Sequence, residues 1–258
     1  MSATTRQNRI DLGHALAYVA FAAILLWAGY FFSGSLKVRW GVSALAIVGF
    51  AIYLGFSRTQ RYFGVLLDDR QAPSLSKLQI LAWTILILSA YSTAALWNAS
   101  HGAEDALAIS IPQELWAVMG ISVTSFLGSP IIKNSKMAKN QLFVKDSPEE
   151  AKATDLFSGD EKGNHNRLDL GKIQMFLFTV VLVVAYATSI ARMFFDHEQA
   201  ASLVTGLPPL SESMVALLGI SHGGYLGYKT ISHSEKPETA PAAAPAPAPV
   251  PSQGQNNG

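Results

Sequence analysis

The 258-residue sequence contains no cysteine, which excludes disulfides, thiolate metal sites, iron–sulfur clusters and a thiol nucleophile. Charge is scarce as well. Only 14% of residues are Asp, Glu, Lys or Arg, against roughly 25% in an ordinary soluble domain. Neither sign predominates: 19 Lys and Arg face 18 Asp and Glu, a formal net charge of +1, so no basic field exists to hold nucleic acid.

Recognisable catalytic motifs are missing too. The six histidines, at positions 14, 101, 165, 197, 222 and 233, form no His-Glu-x-x-His pair, and no Gly-rich phosphate loop or Gly-x-Ser-x-Gly elbow occurs. The stretch Gly-Asp-Glu-Lys-Gly-Asn-His-Asn-Arg resembles a calcium loop only superficially, because Lys162 and His165 stand where oxygen ligands are required and no closing Glu follows. The expectation is a protein that is not an enzyme, with no catalytic residue, no cofactor and no metal.

What is present is apolar: half of the residues are hydrophobic. A bilayer core about 30 Å thick needs about 20 apolar residues in helix, whose backbone satisfies its own hydrogen bonds. Six segments meet that test: Ala15 to Phe32, Trp40 to Ser57, Leu78 to Ser100, Leu115 to Ile132, Ile173 to Ala191 and Pro209 to Tyr228. The predicted fold class is therefore all-α, a polytopic membrane protein with six transmembrane helices. The first segment is too long for the core of a cleaved signal peptide, and no clean small-x-small cleavage site precedes the next span.

Orientation follows from Lys and Arg in the loops. With the N-terminus inside, the inner segments hold Arg6 and Arg9, then Arg58, Arg61, Arg70 and Lys77, then eight residues from Lys133 to Lys172, then Lys229 and Lys236. Only Lys37, Arg39 and Arg192 fall outside. The expected location is the plasma membrane of a bacterial-type cell, its inner membrane, with both termini cytoplasmic.

The chain also repeats itself. Displaced by 95 residues, Lys77 to Thr93 falls on Lys172 to Thr188 with six identities in 17 positions, among them Lys, Gln, Thr and Tyr. Displaced by 99, Leu115 to Ile131 falls on Met214 to Thr230, again with six in 17. The reading is a duplicated helical hairpin, spans 3–4 and spans 5–6, in parallel orientation, unlike the inverted repeats of many transporters. The domain plan is then 1–57 for the N-terminus and first hairpin, 58–73 for an inner loop, 74–132 for the first repeat, 133–168 for a charged inner loop, 169–230 for the second repeat and 231–258 for a Pro/Ala-rich tail. Ser74 and Asp169 are predicted N-caps, and Lys77 and Lys172 are predicted to reach back to inner headgroups. In the charged loop, the residues from Asp146 to Phe157 read as a short helix capped by Ser147. The loop as a whole reads as a solvated partner-binding segment. The tail reads as an extended polyproline spacer or docking peptide, or equally as a disordered end without a partner.

Two sets of side chains are candidates for function. Gly120, Thr124 and Gly128 align with Gly219, Gly223 and Gly227, each set on one helix face. Small residues permit close helix approach in lipid, so these faces are expected to meet each other or a neighbouring subunit. The second set is a possible polar path: Thr84, Tyr91, Glu114, Thr179, Tyr186, Glu212 and His222. Of these, His222 is the ionisable residue well inside a span, although interhelical hydrogen bonding is the simpler use of such groups, and Glu114 and Glu212 suit helix N-termini. The leading expectation is a membrane anchor or scaffold that presents its inner loop and tail. Its expected partners are the lipid bilayer and either further copies of itself or a cytoplasmic protein. The alternative is a subunit of an oligomeric channel or transporter with a hydroxyl-lined path.

Overall fold

A computed structural model of the chain describes residues 3–138, 152–161, 164 and 167–231. The helix predicted from Asp146, apart from its last turn, lies outside the described residues, as do Lys162, His165 and the Pro/Ala tail. Among the described residues six α-helices follow one another: α1 Ala3–Leu26, α2 Leu36–Thr59, α3 Leu75–Ser100, α4 Gln113–Ala138, α5 Leu170–Gln199 and α6 Glu212–Thr230. Among the described residues there is no strand, only isolated bridges between loop residues.

Five of these helices are long and apolar enough to cross a membrane: Leu12–Phe31, where α1 runs on into a π-turn, and then α2, α3, α4 and α5. The sixth predicted span, α6, falls short because His222, Lys229 and four glycines lower its hydropathy. The outer faces of the helices carry Leu16, Val19, Leu45, Leu88, Leu127, Val181 and Ile220, all exposed, as a lipid-facing surface requires. The chain is a helical, apolar protein of membrane type.

Four helices form a bundle. α3 packs on α4 and α5, while α6 packs on α4 and α5. The hairpin α1–α2 lies against one side, with α2 on α3 and α5 and α1 on α2. Burial follows this order: half of the apolar window of α3 is buried but only 11% of those of α1 and α2. Trp40 Nε1 donates to Ser89 Oγ at 2.9 Å and Thr93 Oγ1 to Ser43 Oγ at 3.2 Å, so α2 is tied to α3 by hydroxyls as well as by packing.

Both ends of the bundle are closed by loops. At the end that the loop charges predict to be outer, and that is called outer below, Ser110 and Gly206 pair, with Leu207 N donating to Ser110 O at 2.9 Å. Asn98 grips the backbone of Val204 through both its side-chain atoms, each at 2.8 Å. Tyr91 and Tyr186 donate to the carbonyls of Leu107 and Pro208. At the opposite end, called inner on the same expectation, two loops precede α3 and α5 and close alike. Leu67 pairs with Pro73, and Ser158 with Leu168; Ser74 N donates to Leu66 O and Asp169 N to Phe157 O, both at 2.8 Å. Asp169 caps α5 by accepting from Lys172 N at 3.1 Å, whereas the Ser74 side chain makes no capping bond.

Glycine is required at one inner corner. A Cβ on Gly55 would stand 2.6 Å from Val65 N, and one on Gly64 would stand 2.5 Å from Gly55 O. This contact fixes the turn Gly64–Leu66 against the end of α2 and so sets the position of the Asp68–Arg70 loop.

Candidate functional site

The inner ends of α4, α5 and α6 converge on one carboxylate, Asp160, in the loop before α5. Lys172 at the start of α5 donates to Oδ1 at 2.8 Å, and Lys229 at the end of α6 meets Oδ2 at 2.7 Å. Arg70, from the loop before α3, donates to Oδ1 at 2.9 Å and to the Asp160 carbonyl at 3.2 Å. Lys133 of α4 stands 3.9 Å from Oδ2 and bonds Asp68 Oδ2 at 2.7 Å, and Asp68 also accepts from Arg70 Nε at 3.1 Å. Beside this network, Lys136 donates to Glu161 Oε1 at 2.5 Å and to the carbonyl of Ile231, where the described chain ends.

These groups are buried: Asp160 is 8% exposed and Glu161 2%. Burial on its own raises the pKa of Asp160, but Lys172, Lys229, Arg70 and Lys133 outweigh it and hold the carboxyl well below its usual range. The same balance, burial against Lys133 and Arg70, lowers Asp68. Arg70 is raised, because Asp160 and Asp68 outweigh its desolvation. Each of these charges needs its partners, since removing one member of a buried ion pair leaves an uncompensated charge. A cavity of about 20 Å³, room for one water, opens here between Lys136, Glu161, Asn164 and Tyr228. Among the described residues no group of three or more His, Asp or Glu is arranged to hold a metal.

The described part of this loop, 152–161 and 167–169, is thus docked onto the bundle, whereas its charge pattern predicts a solvated segment. The physical reason is the concentration of lysines at the helix ends: each buried ammonium needs an acceptor, and the loop supplies carboxylates and carbonyls. Lys77 and Lys172 behave accordingly. Neither is directed to headgroups; Lys77 bonds Leu67 O at 2.5 Å and Lys172 bonds Ser158 O at 2.6 Å. The last turn of the helix predicted from Asp146 is a 3-10 turn, Ala153–Phe157.

A second polar assembly lies in the bundle core. Gln79 of α3 donates from Nε2 to Thr179 of α5 at 2.5 Å, and Ser125 of α4 pairs with His222 Nδ1 of α6 at 2.5 Å. Each of the four bundle helices contributes one residue, and all four are at most 4% exposed. His222 sits seven residues before Lys229 and Thr179 seven after Lys172, so the layer lies about 10 Å above the ionic cluster.

The other expected path residues are dispersed. Tyr186 is buried on the same α5 face as Thr179. Thr84 is half-buried, one position away from the inward α3 stripe of Ser76, Gln79 and Trp83, because α2 covers a further side of α3. Tyr91 serves the outer loop. Glu114 is half-buried and Glu212 exposed, both in the first turns of their helices.

The two glycine faces do not meet within the chain. A Cβ on Gly120, Gly223 or Gly227 would touch nothing within 4 Å, and Thr124 is exposed and bonded to Gly120 O. Gly128 and Gly219 lie at the rim of the α4–α6 contact, near Leu226 and Ile121. That contact is made instead by the neighbouring stripes Ser122, Ser125, Ser129 and Leu218, His222, Tyr225, Lys229, where hydrogen bonds are available. Asp160, Asp68, Arg70, Lys133 and Gln79 are the functional candidates that sequence reasoning missed.

Comparison with known proteins finds no matching family model, no matching curated protein and no matching solved structure.

Proposed function

We propose that this protein is a non-enzymatic membrane anchor or scaffold whose docked inner loop forms a rigid platform from which the C-terminal tail leaves. The observation that carries the reading is Asp160, held by cations from α4, α5, α6 and the loop before α3. Such a lock fixes the platform to the membrane body. Lys136, bonded to both Glu161 and the Ile231 carbonyl, fixes the root of the tail to the same platform, and a cytoplasmic protein is the partner that platform and tail would meet.

In this reading α6 is the sixth span. Its 19 residues reach about 28 Å, it runs beside α4, and both end in lysines at the Asp160 cluster. Matched behaviour of matched residues supports the parallel duplication: Lys77 and Lys172 each close the loop before their helix, Tyr91 and Tyr186 each hold an outer loop, and Pro112 and Pro208 follow the paired Ser110 and Gly206 at the same distance. The excess of Lys and Arg at the Asp160 end supports an inner-membrane protein with cytoplasmic termini. The open faces at Gly120, Thr124, Gly223 and Gly227 suit close approach of a second copy.

A channel along the bundle axis is disfavoured, because Trp83, Leu86, Leu182, Leu218, Val118 and Leu115 fill it beyond the polar layer, each at most 7% exposed. The test is ion flux through liposomes containing the purified full chain. The anchor reading expects no flux above protein-free liposomes, and a conductance that scales with protein would replace it by the channel reading.

A further inference from the structure

Six buried side-chain atoms have no hydrogen-bond partner among the described residues: Ser76 Oγ, Gln79 Oε1 and Trp83 Nε1 on α3, Ser122 Oγ on α4, and Ser221 Oγ and His222 Nε2 on α6. An unsatisfied buried polar atom keeps its full desolvation cost, and in a bundle surrounded by lipid no bulk solvent relieves it. All six belong to the helices that build the polar layer, and two belong to its own residues.

The hydrogen-bond chemistry of those two is determined by their neighbours. Thr179 uses its own hydroxyl proton on Met175 O at 2.8 Å, so its oxygen accepts, and Gln79 must present Nε2 to it. The free end of the amide is therefore the acceptor Oε1. Across the layer, Ser125 Oγ has His222 Nδ1 as its hydrogen-bond partner. With the serine hydroxyl donating to Nδ1, the imidazole proton sits on Nε2, which becomes a free donor. An orphaned acceptor and an orphaned donor thus stand in one layer, on α3 and α6, which do not touch directly enough to bond.

We propose that the layer is a binding site for one water molecule, which accepts from His222 Nε2 and donates to Gln79 Oε1. A buried water makes about three hydrogen bonds, and the unpartnered hydroxyls of Ser76, Ser122 and Ser221 on the same helices supply acceptors for its second proton. Outward, Trp83 and the leucine layer close the site; inward, Met175, Tyr225 and Leu75 pack together between it and the ionic cluster. The water completes the polar layer that joins all four helices, and this holds whether the protein is an anchor or a channel.

The test is magnetic resonance of the full chain in lipid nanodiscs with histidine and serine isotopically labelled, His222 being assigned by its contact to Ser125. The expected result is an Nε2-protonated imidazole whose proton shows a cross-peak to water. A bare Nε2, or a protonated one without a water contact, overturns the proposal. In Gln79→Met, which keeps the side-chain length and removes Oε1, the cross-peak should fall at least twofold; a cross-peak of unchanged strength shows that Gln79 is not the second partner. If that variant does not fold, the wild-type spectrum decides alone.

Discussion

Lys229 and Asp160 meet at 2.7 Å, although one closes the last helix and the other lies in the loop before α5. Through this pair the end of α6 is bonded to the loop that also receives Lys172 and Arg70. Asp160→Asn keeps the size of the side chain and removes the charge that three lysines and an arginine share. It should lower stability by about 3–5 kcal/mol, read as a fall in melting temperature in detergent. Asp155→Asn, on the half-buried 3-10 turn of the same loop, should change it far less.

The same network sets an acid limit. Asp160 and Asp68 have pKa values depressed below the ordinary 3.8, so their contribution to stability is complete above that value and is lost as pH falls through the depressed ones. Melting temperature should therefore hold between pH 7 and pH 5 and fall steeply in the acid range below. Asp160→Asn should flatten that acid slope while starting from a lower melting temperature.

Topology can be tested directly because the chain has no native cysteine. Glu104→Cys, in the exposed outer loop, should be labelled by an impermeant maleimide in intact cells, and Arg167→Cys, exposed beside the inner cluster, only after permeabilisation. The reverse pattern would contradict the orientation. Asp160 itself is unsuitable for labelling, being buried in its ion pairs.

Helix placement was legible because it depends on local apolar length and on loop charge. Asp169 as the cap of α5 was legible for the same reason, since cap and amide lie three residues apart. The site was not. Asp160 reads in sequence as one acid in a mixed-charge loop; only the fold brings Arg70 and Lys229 to it, from opposite ends of the bundle's sequence. The inner lysines read in sequence as orientation signals, although the concentration of ammonium groups at helix ends also implies a nearby acceptor. Ser122, Ser125 and Ser129, at helical spacing in an apolar span, are a visible polar stripe that points to the α4–α6 contact. The glycine stripe one face away is the more conspicuous feature, and its Gly120, Gly223 and Gly227 lie open in the folded chain.

That difference gives a paired prediction. Gly223→Leu adds a side chain where a Cβ meets nothing within 4 Å, so the melting temperature of the single chain should be unchanged while the particle mass in detergent falls, if copies associate through this face. An unchanged mass removes the association. Ser125→Leu inserts bulk into the buried α4–α6 contact and should destabilise the chain by about 1–3 kcal/mol.

Docking of the inner loop by Asp160 is most directly measured by hydrogen–deuterium exchange of the full chain in nanodiscs. Ser158 N, Arg167 N and Asp169 N all donate to backbone carbonyls of the loop itself, and slow exchange is expected at these three amides in the wild type and at least tenfold faster exchange in Asp160→Asn, with α3 unchanged. Rapid exchange of these amides in the wild type, or the same rate in both proteins, would contradict it.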